Sequence, residues 1–180
     1  MIANPVSRRG FITQAIAFSA LIGSTPALAM KTAEHRDLMV ESLHTGEKCK
    51  VTFWEHGHYN PDALAELNTV MRDHRTGDIF EIDANLYDAL YALSAVVETQ
   101  PRFQLISGYR SPKTNANLAA NSNGVAKKSY HMRGMASDIR TDRVDLDRLH
   151  KAARALKVGG VGKYAKSNFI HMDVGPVRYW

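Results

Sequence analysis

Two short runs of this chain carry residue types that do chemistry. The first is Ser129-Tyr130-His131-Met132-Arg133-Gly134-Met135-Ala136-Ser137-Asp138; the second is Phe169-Ile170-His171-Met172-Asp173. A lone histidine says little, because most histidines are surface or satisfied core residues. His131, Asp138 and His171 together offer two imidazoles and one carboxylate, a ligand set for one zinc ion with a position left open to water. Zinc brings the pKa of such a water to about 7. A closed structural zinc site draws four protein ligands, usually including cysteines. Cys49 is the only cysteine in the chain, so a bound metal is expected in an open site.

The spacing also makes physical sense. His131 and Asp138 are too far apart to share a helical turn, and Gly134 lets the chain bend back between them. On a strand, His171 and Asp173 point to the same face. Asp173 is therefore a candidate for two roles, general base or orienter of a ligand imidazole.

Several elements must position these residues. Glu41–Glu47 followed by Lys48–Trp54 predicts two short strands around a Thr-Gly turn, with His56-Gly57-His58-Tyr59 in a loop. Asn60-Pro61 reads as a helix cap and first position, and Leu64, Leu67, Val70 and Met71 carry a helical period to about His74. A second helix is expected from Asp83 to about Glu98, with Leu86, Leu90, Leu93 and Val97 on one stripe. Phe103–Ile106 reads as a strand running into Ser107-Gly108-Tyr109-Arg110-Ser111. A short helix at Thr114–Ala120, a strand at Met135–Ile139, a helix from Asp145 to about Lys157, a glycine-rich strand or bend at Gly159–Tyr164 and a final strand at Phe169–Val174 complete the pattern. One α+β domain with a small, mostly antiparallel sheet and flanking helices follows.

Residues 1–29 stand apart. Arg8-Arg9-Gly10-Phe11 precedes an apolar run to Gly23, and Ala27-Leu28-Ala29 is a small-x-small cleavage site, so this segment reads as a cleavable export signal. The run is shorter than the roughly 20 residues a span needs, and the arginine pair resembles a twin-arginine signal. Residues 30–180 then form the working domain, in the periplasm. Without the signal the chain has 21 basic and 18 acidic residues. That mild excess suits an acidic polymer of the cell envelope. No basic block of nucleic-acid type appears, so nucleic acid is not an expected partner, and no second stretch is apolar enough to span a membrane. Hydrophobic residues at 44% and charged residues at 23% exclude wholesale disorder.

The pattern Ser-x-His-x-x-Gly-x-Ala-x-Asp at 129–138, with a later His-x-Asp at 171–173, resembles the D-Ala-D-Ala-type zinc metallopeptidases, of the lysostaphin, D-Ala-D-Ala peptidase and Hedgehog-like fold. Leu43–Glu47, Ser107–Ser111, Val125–Ser129, Gly159–Gly162 and Gly175–Trp180 extend the resemblance to a bacterial murein endopeptidase K-like branch. It implies a hydrolase acting on peptidoglycan peptide stems, at cross-links that involve meso-diaminopimelate, of 3-3 and also 4-3 type. It also implies one zinc ion per chain, held by His131, Asp138 and His171, and attack by zinc-activated water on the scissile carbonyl. Arg110 would bind a substrate carboxylate or the developing oxyanion; its alternative is a structural salt bridge. Related enzymes often carry a base two or three residues before the last zinc histidine, where this chain has Phe169 and Asn168. That departure favours one rival, a non-catalytic metal-binding module that recognises the wall; a D-alanyl carboxypeptidase is a third reading, which keeps the class and changes the product. Ser129 and Tyr109 are candidates for substrate contact or for capping and packing. His56 and His58, His44 and His74, Cys49 and the Lys127-Lys128 pair are expected to stand outside the chemistry.

Overall fold

The computed structural model describes residues 33–97, 102–122 and 125–180. The expected export signal, with its cleavage site after Ala29, lies outside them, as does Glu98.

Eight strands build one sheet. β1 (His35–Ser42) and β2 (Lys48–Glu55) are the hairpin expected around the Thr-Gly turn, with Gly46 at φ 74°. The expected 56–59 loop is shorter than predicted. His56 and Gly57 both take positive φ, the backbone of a two-residue primed turn, and so return His58–Tyr59 as β3 against Trp54 and Glu55.

α1 (Pro61–Val70) starts as the sequence predicts, with Asn60 Oδ1 accepting from the amides of Asp62 and Ala63. It stops four residues short of His74. The Met71 carbonyl accepts from the Tyr109 amide, and the Asp73 carboxylate takes the amides of Arg75 and Ser111, so this stretch serves a neighbouring turn instead of continuing the helix. α2 (Ala84–Val96) is capped by Asp83, α3 (Pro112–Asn121) by Ser111 and α4 (Leu146–Leu156) by Asp145. Such caps are each worth about 1 kcal/mol. β4 (Phe103–Ser107), β5 (Ala136–Arg140), β6 (Gly160–Tyr164), β7 (Phe169–Asp173) and β8 (Arg178–Tyr179) complete the sheet.

The strand order is β3-β2-β1-β4-β5-β7-β6-β8. Pairing is antiparallel except at β1/β4 and β6/β8, so the sheet is mostly antiparallel, as expected. α1 packs on β1 and β2, α2 on β1 and α4, and α4 on β6 and β7. Their apolar stripes meet sheet residues such as Val40, Phe53, Phe103, Ile139, Ile170 and Met172, all at most 1% exposed. Burial of each large apolar side chain contributes about 1.5–3 kcal/mol. Alternation along β7 turns Ile170 and Met172 to this core and leaves Phe169, His171 and Asp173 on the other face.

Candidate metal centre

Register alone brings the key strand residues into one row. Ser107 of β4 pairs with Asp138 of β5, Asp138 with His171 of β7, and His171 with Gly162 of β6. His131 reaches that row from outside the sheet, on a single 3-10 turn (Tyr130–Arg133). Ser129 Oγ caps the turn by accepting from the His131 amide. Gly134 ends it at φ 66°, a left-handed conformation that side chains resist, and a Cβ there would come 2.4 Å from the Glu81 carbonyl. The Gly134 carbonyl accepts from the Asp83 amide, tying the turn to the start of α2.

The result is a tight triangle. His131 Nε2 lies 3.2 Å from His171 Nδ1 and 3.3 Å from Asp138 Oδ1, and His171 Nδ1 lies 3.0 Å from Asp138 Oδ1. Among the described residues this is the group of His, Cys, Asp or Glu side chains that could hold a metal ion. All three residues are buried.

The remaining ring nitrogens reveal the tautomers. His131 Nδ1 is 2.7 Å from the Gly108 carbonyl, which can only accept, so Nδ1 carries the proton and Nε2 presents a lone pair to the triangle. His171 Nε2 donates to Asp173 Oδ2 at 2.8 Å, which leaves Nδ1 as the lone pair facing inward. Two imidazole lone pairs and a carboxylate oxygen thus converge at hydrogen-bond distance with no donor of their own between them. A cation at the centre relieves that repulsion, so the donor set fits a metal.

The electrostatics of the triangle favour a positive charge at its centre, whether a proton on a ring or a metal cation. Burial works to raise the Asp138 carboxyl, but the His131 and His171 rings outweigh it and hold it below the usual carboxylate range. For His171, burial pulls the ring pKa down while Asp138 and Asp173 pull it up, and the carboxylates win.

Arg110 sits where the sequence puts it, in the turn between β4 and α3. Its amide donates to the His131 carbonyl, and its Nη2 is 3.6 Å from Asp138 Oδ2. Burial lowers its pKa, opposed by Asp138. Both expectations for Arg110 therefore touch the geometry: it faces a carboxylate of the triangle and it lines the cleft above it. That cleft holds about 400 Å³. Arg110, Lys128 and Arg178 supply its cations, and Tyr130, Tyr164, Phe169 and Trp180 its aromatic flank.

Asp173 is fully buried. Its Oδ1 accepts from the amides of Gly160 and Gly175 and from Arg178, and its Oδ2 accepts from His171 and Arg178. Burial works to raise its carboxyl, yet His171, Arg178 and these amides hold it below the usual range. With both oxygens filled, it has no free lone pair aimed at the cleft. Of its two candidate roles, the geometry favours orienting His171.

Ser129 caps its turn and also lines the cleft, whereas Tyr109 stacks on Phe80, with ring centroids 4.6 Å apart. His44 and His74 stack on each other at 3.8 Å, and burial pushes the Cys49 thiol up to about 12, so no thiolate forms at neutral pH. Sequence reasoning missed the Gly108 carbonyl, Asp73, Arg178 and the aromatic flank. Tyr164 and Phe169 are cross-strand partners whose rings stack at 4.7 Å, a pair readable only once register is known.

A family model described as peptidoglycan L,D-endopeptidase MepK matches residues 30–180. The chain is 46% identical over 166 residues to the peptidoglycan L,D-endopeptidase MepK of Escherichia coli (strain K12), covering 92% of this chain and 91% of that one. The same figures hold for the Shigella flexneri protein of that name. Identity to the probable peptidoglycan L,D-endopeptidase MepK of Haemophilus influenzae is 38% over 167 residues, covering 92% of this chain and 89% of that one.

Proposed function

This chain belongs to the peptidoglycan L,D-endopeptidase MepK family, and on that premise we propose that it is a zinc-dependent murein endopeptidase. Its substrates are peptide cross-links involving meso-diaminopimelate, of the 3-3 type and also the 4-3 type. The observation that carries the zinc reading is the triangle of inward lone pairs, each imidazole fixed by a partner on its other nitrogen. Two imidazoles and a carboxylate are the borderline-soft set that zinc prefers, and tetrahedral bonds of about 2.0–2.1 Å match donors spaced 3.0–3.3 Å apart. When bound, zinc supplies Lewis acidity, which polarises a carbonyl and makes water a stronger acid.

The protein's own groups do the rest. Gly108 and Asp173 hold the two rings in the tautomers that present lone pairs. Arg110 presents a fixed, largely buried cation at the cleft wall, where it binds a substrate carboxylate or the oxyanion that develops on the scissile carbonyl. The aromatic flank shields the triangle from bulk water and takes up apolar parts of the stem. Export by the twin-arginine signal at residues 1–29, with cleavage after Ala29, delivers the domain to the periplasm, where this substrate lies.

The test is digestion of cross-linked muropeptide dimers by the purified 30–180 chain, followed by mass analysis of the products. We expect dimer loss that stops on chelation and returns with zinc. His131→Ala, Asp138→Ala and His171→Ala should each lower zinc content and abolish hydrolysis. Full zinc stoichiometry in all three would overturn the ligand assignment. Release of terminal D-alanine without dimer loss would instead make the enzyme a carboxypeptidase.

A further inference from the structure

Arg178 lines the cleft beside the metal triangle, in a setting more elaborate than a surface salt bridge needs. Its Nη1 and Nη2 contact Asp173 Oδ1 and Oδ2 at 3.0 and 2.6 Å, a two-pronged grip on a carboxylate with no solvent exposure. Its guanidinium carbon sits 4.9 Å from the Tyr130 ring centroid and 5.1 Å from that of Trp180, so two aromatic faces hold it. Nη1 also donates to the Pro176 carbonyl at 3.1 Å. β8 pairs Arg178 with Gly160, and a Cβ at residue 160 would come 2.4 Å from Arg178 Nη1 and 2.6 Å from Asp173 Oδ2. The bare face of Gly160 is what lets the ion pair lie flat against β6.

The chain of contacts runs on from there. The same Asp173 oxygen that meets Arg178 Nη2 accepts from His171 Nε2. That bond sets which nitrogen of His171 faces the triangle and how its ring is rotated.

We propose that Arg178 is a positioning residue for the metal site: clamped between Tyr130 and Trp180, it fixes the Asp173 carboxylate and thereby the ring of His171. A lysine substitutes only in part, because one ammonium neither grips both oxygens nor stacks between two rings. The inference rests on the metal reading above and assigns a residue that reading does not need.

The experiment measures zinc affinity by chelator competition, together with KM and thermal midpoint, on the purified 30–180 chain. Arg178→Met should weaken zinc binding about 10–100-fold, with KM unchanged once zinc is in excess. Arg178→Lys should recover part of the loss. Gly160→Ala, which keeps every charge but crowds the pair, should shift affinity in the same direction and serves if Arg178→Met does not fold. Adding Arg178→Met to Asp173→Asn should cost little beyond Asp173→Asn alone, because both act through one ring. Wild-type zinc affinity in Arg178→Met would overturn the inference. With a raised KM, that result would make Arg178 a substrate contact; with only a lowered midpoint, it would make it structural. A wild-type chain that takes up no zinc would overturn the metal reading itself, a result distinct from either.

Discussion

Asp173 shows how much a side chain's role depends on what surrounds it. Its spacing from His171 fits either a base or an orienter, and only its five hydrogen bonds separate the two. A base would lose rate and keep metal on substitution. We expect Asp173→Asn to weaken zinc binding about 10–100-fold, read by chelator competition; unchanged affinity with lost turnover would restore the base. Asp73 is the opposite case, a buried acid with no motif to announce it. It accepts the Ser111 amide at 2.9 Å and so pins the turn that carries Arg110. Asp73→Ala should cost about 1–3 kcal/mol by leaving that amide unpaired, seen as a lower midpoint in chemical denaturation. The triangle of His131, Asp138 and His171 was legible because two imidazoles and a carboxylate in that pattern form a metal-ligand set. Asp73 was not, because any acid near a turn looks alike until the fold says which amide it meets.

At the scale of elements, the site is a consequence of register. Ser107, Asp138, His171 and Gly162 lie side by side because β5, β7 and β6 pair in continuous register here and a register shift between Leu105 and Ser107 of β4 brings Ser107 opposite Asp138; a one-residue slip of β5 or β7 would turn Asp138 or His171 into the core. The sequence revealed the strands through their alternation, but not their order, since β5 pairs with β7 and not with the nearer β6. The same limit hid β3, whose two residues are too few to show a period. It also overextended α1, where Met71 keeps the helical spacing while its carbonyl serves Tyr109. Gly134 is the most sensitive joint in this design. Gly134→Ala must strain a φ of 66° and displace the Glu81 carbonyl. We expect a loss of more than about 1 kcal/mol together with weaker zinc binding, because His131 rides on the same turn. Normal zinc affinity in that variant would mean the turn adapts without moving His131.

For the whole molecule, α1, α2 and α4 cover the sheet face that Ile170 and Met172 enter, while His171 and Asp173 lie on the other, and α3 sits beside the site, where its Asn115 meets Arg110. The stacked His44 and His74 offer a test outside the triangle. Burial, helped by His44 and by Arg75 and Arg110 against the pull of Asp73, pushes the His74 ring down to about 4. The unfolded chain takes up this proton first, near pH 6.5. Wild-type stability from this source is therefore complete above that pH, falls as pH drops towards about 4, and is level below. His74→Phe keeps a ring in the stack but cannot titrate, so urea midpoints measured from pH 7 to 4 should fall less steeply than in wild type. Parallel slopes would show that other groups carry the acid sensitivity.

The last strand has a practical outcome for anyone handling this protein. Trp180 exchanges backbone hydrogen bonds with Val161 and Lys163, and its ring closes one wall of the cleft. An affinity handle or fluorescent fusion attached after Trp180 would emerge within the substrate's path and tug on the strand that holds Arg178. Attached ahead of His35, the same cargo joins β1, five strand positions away across the sheet and so about 24 Å distant, where it leaves the entrance clear.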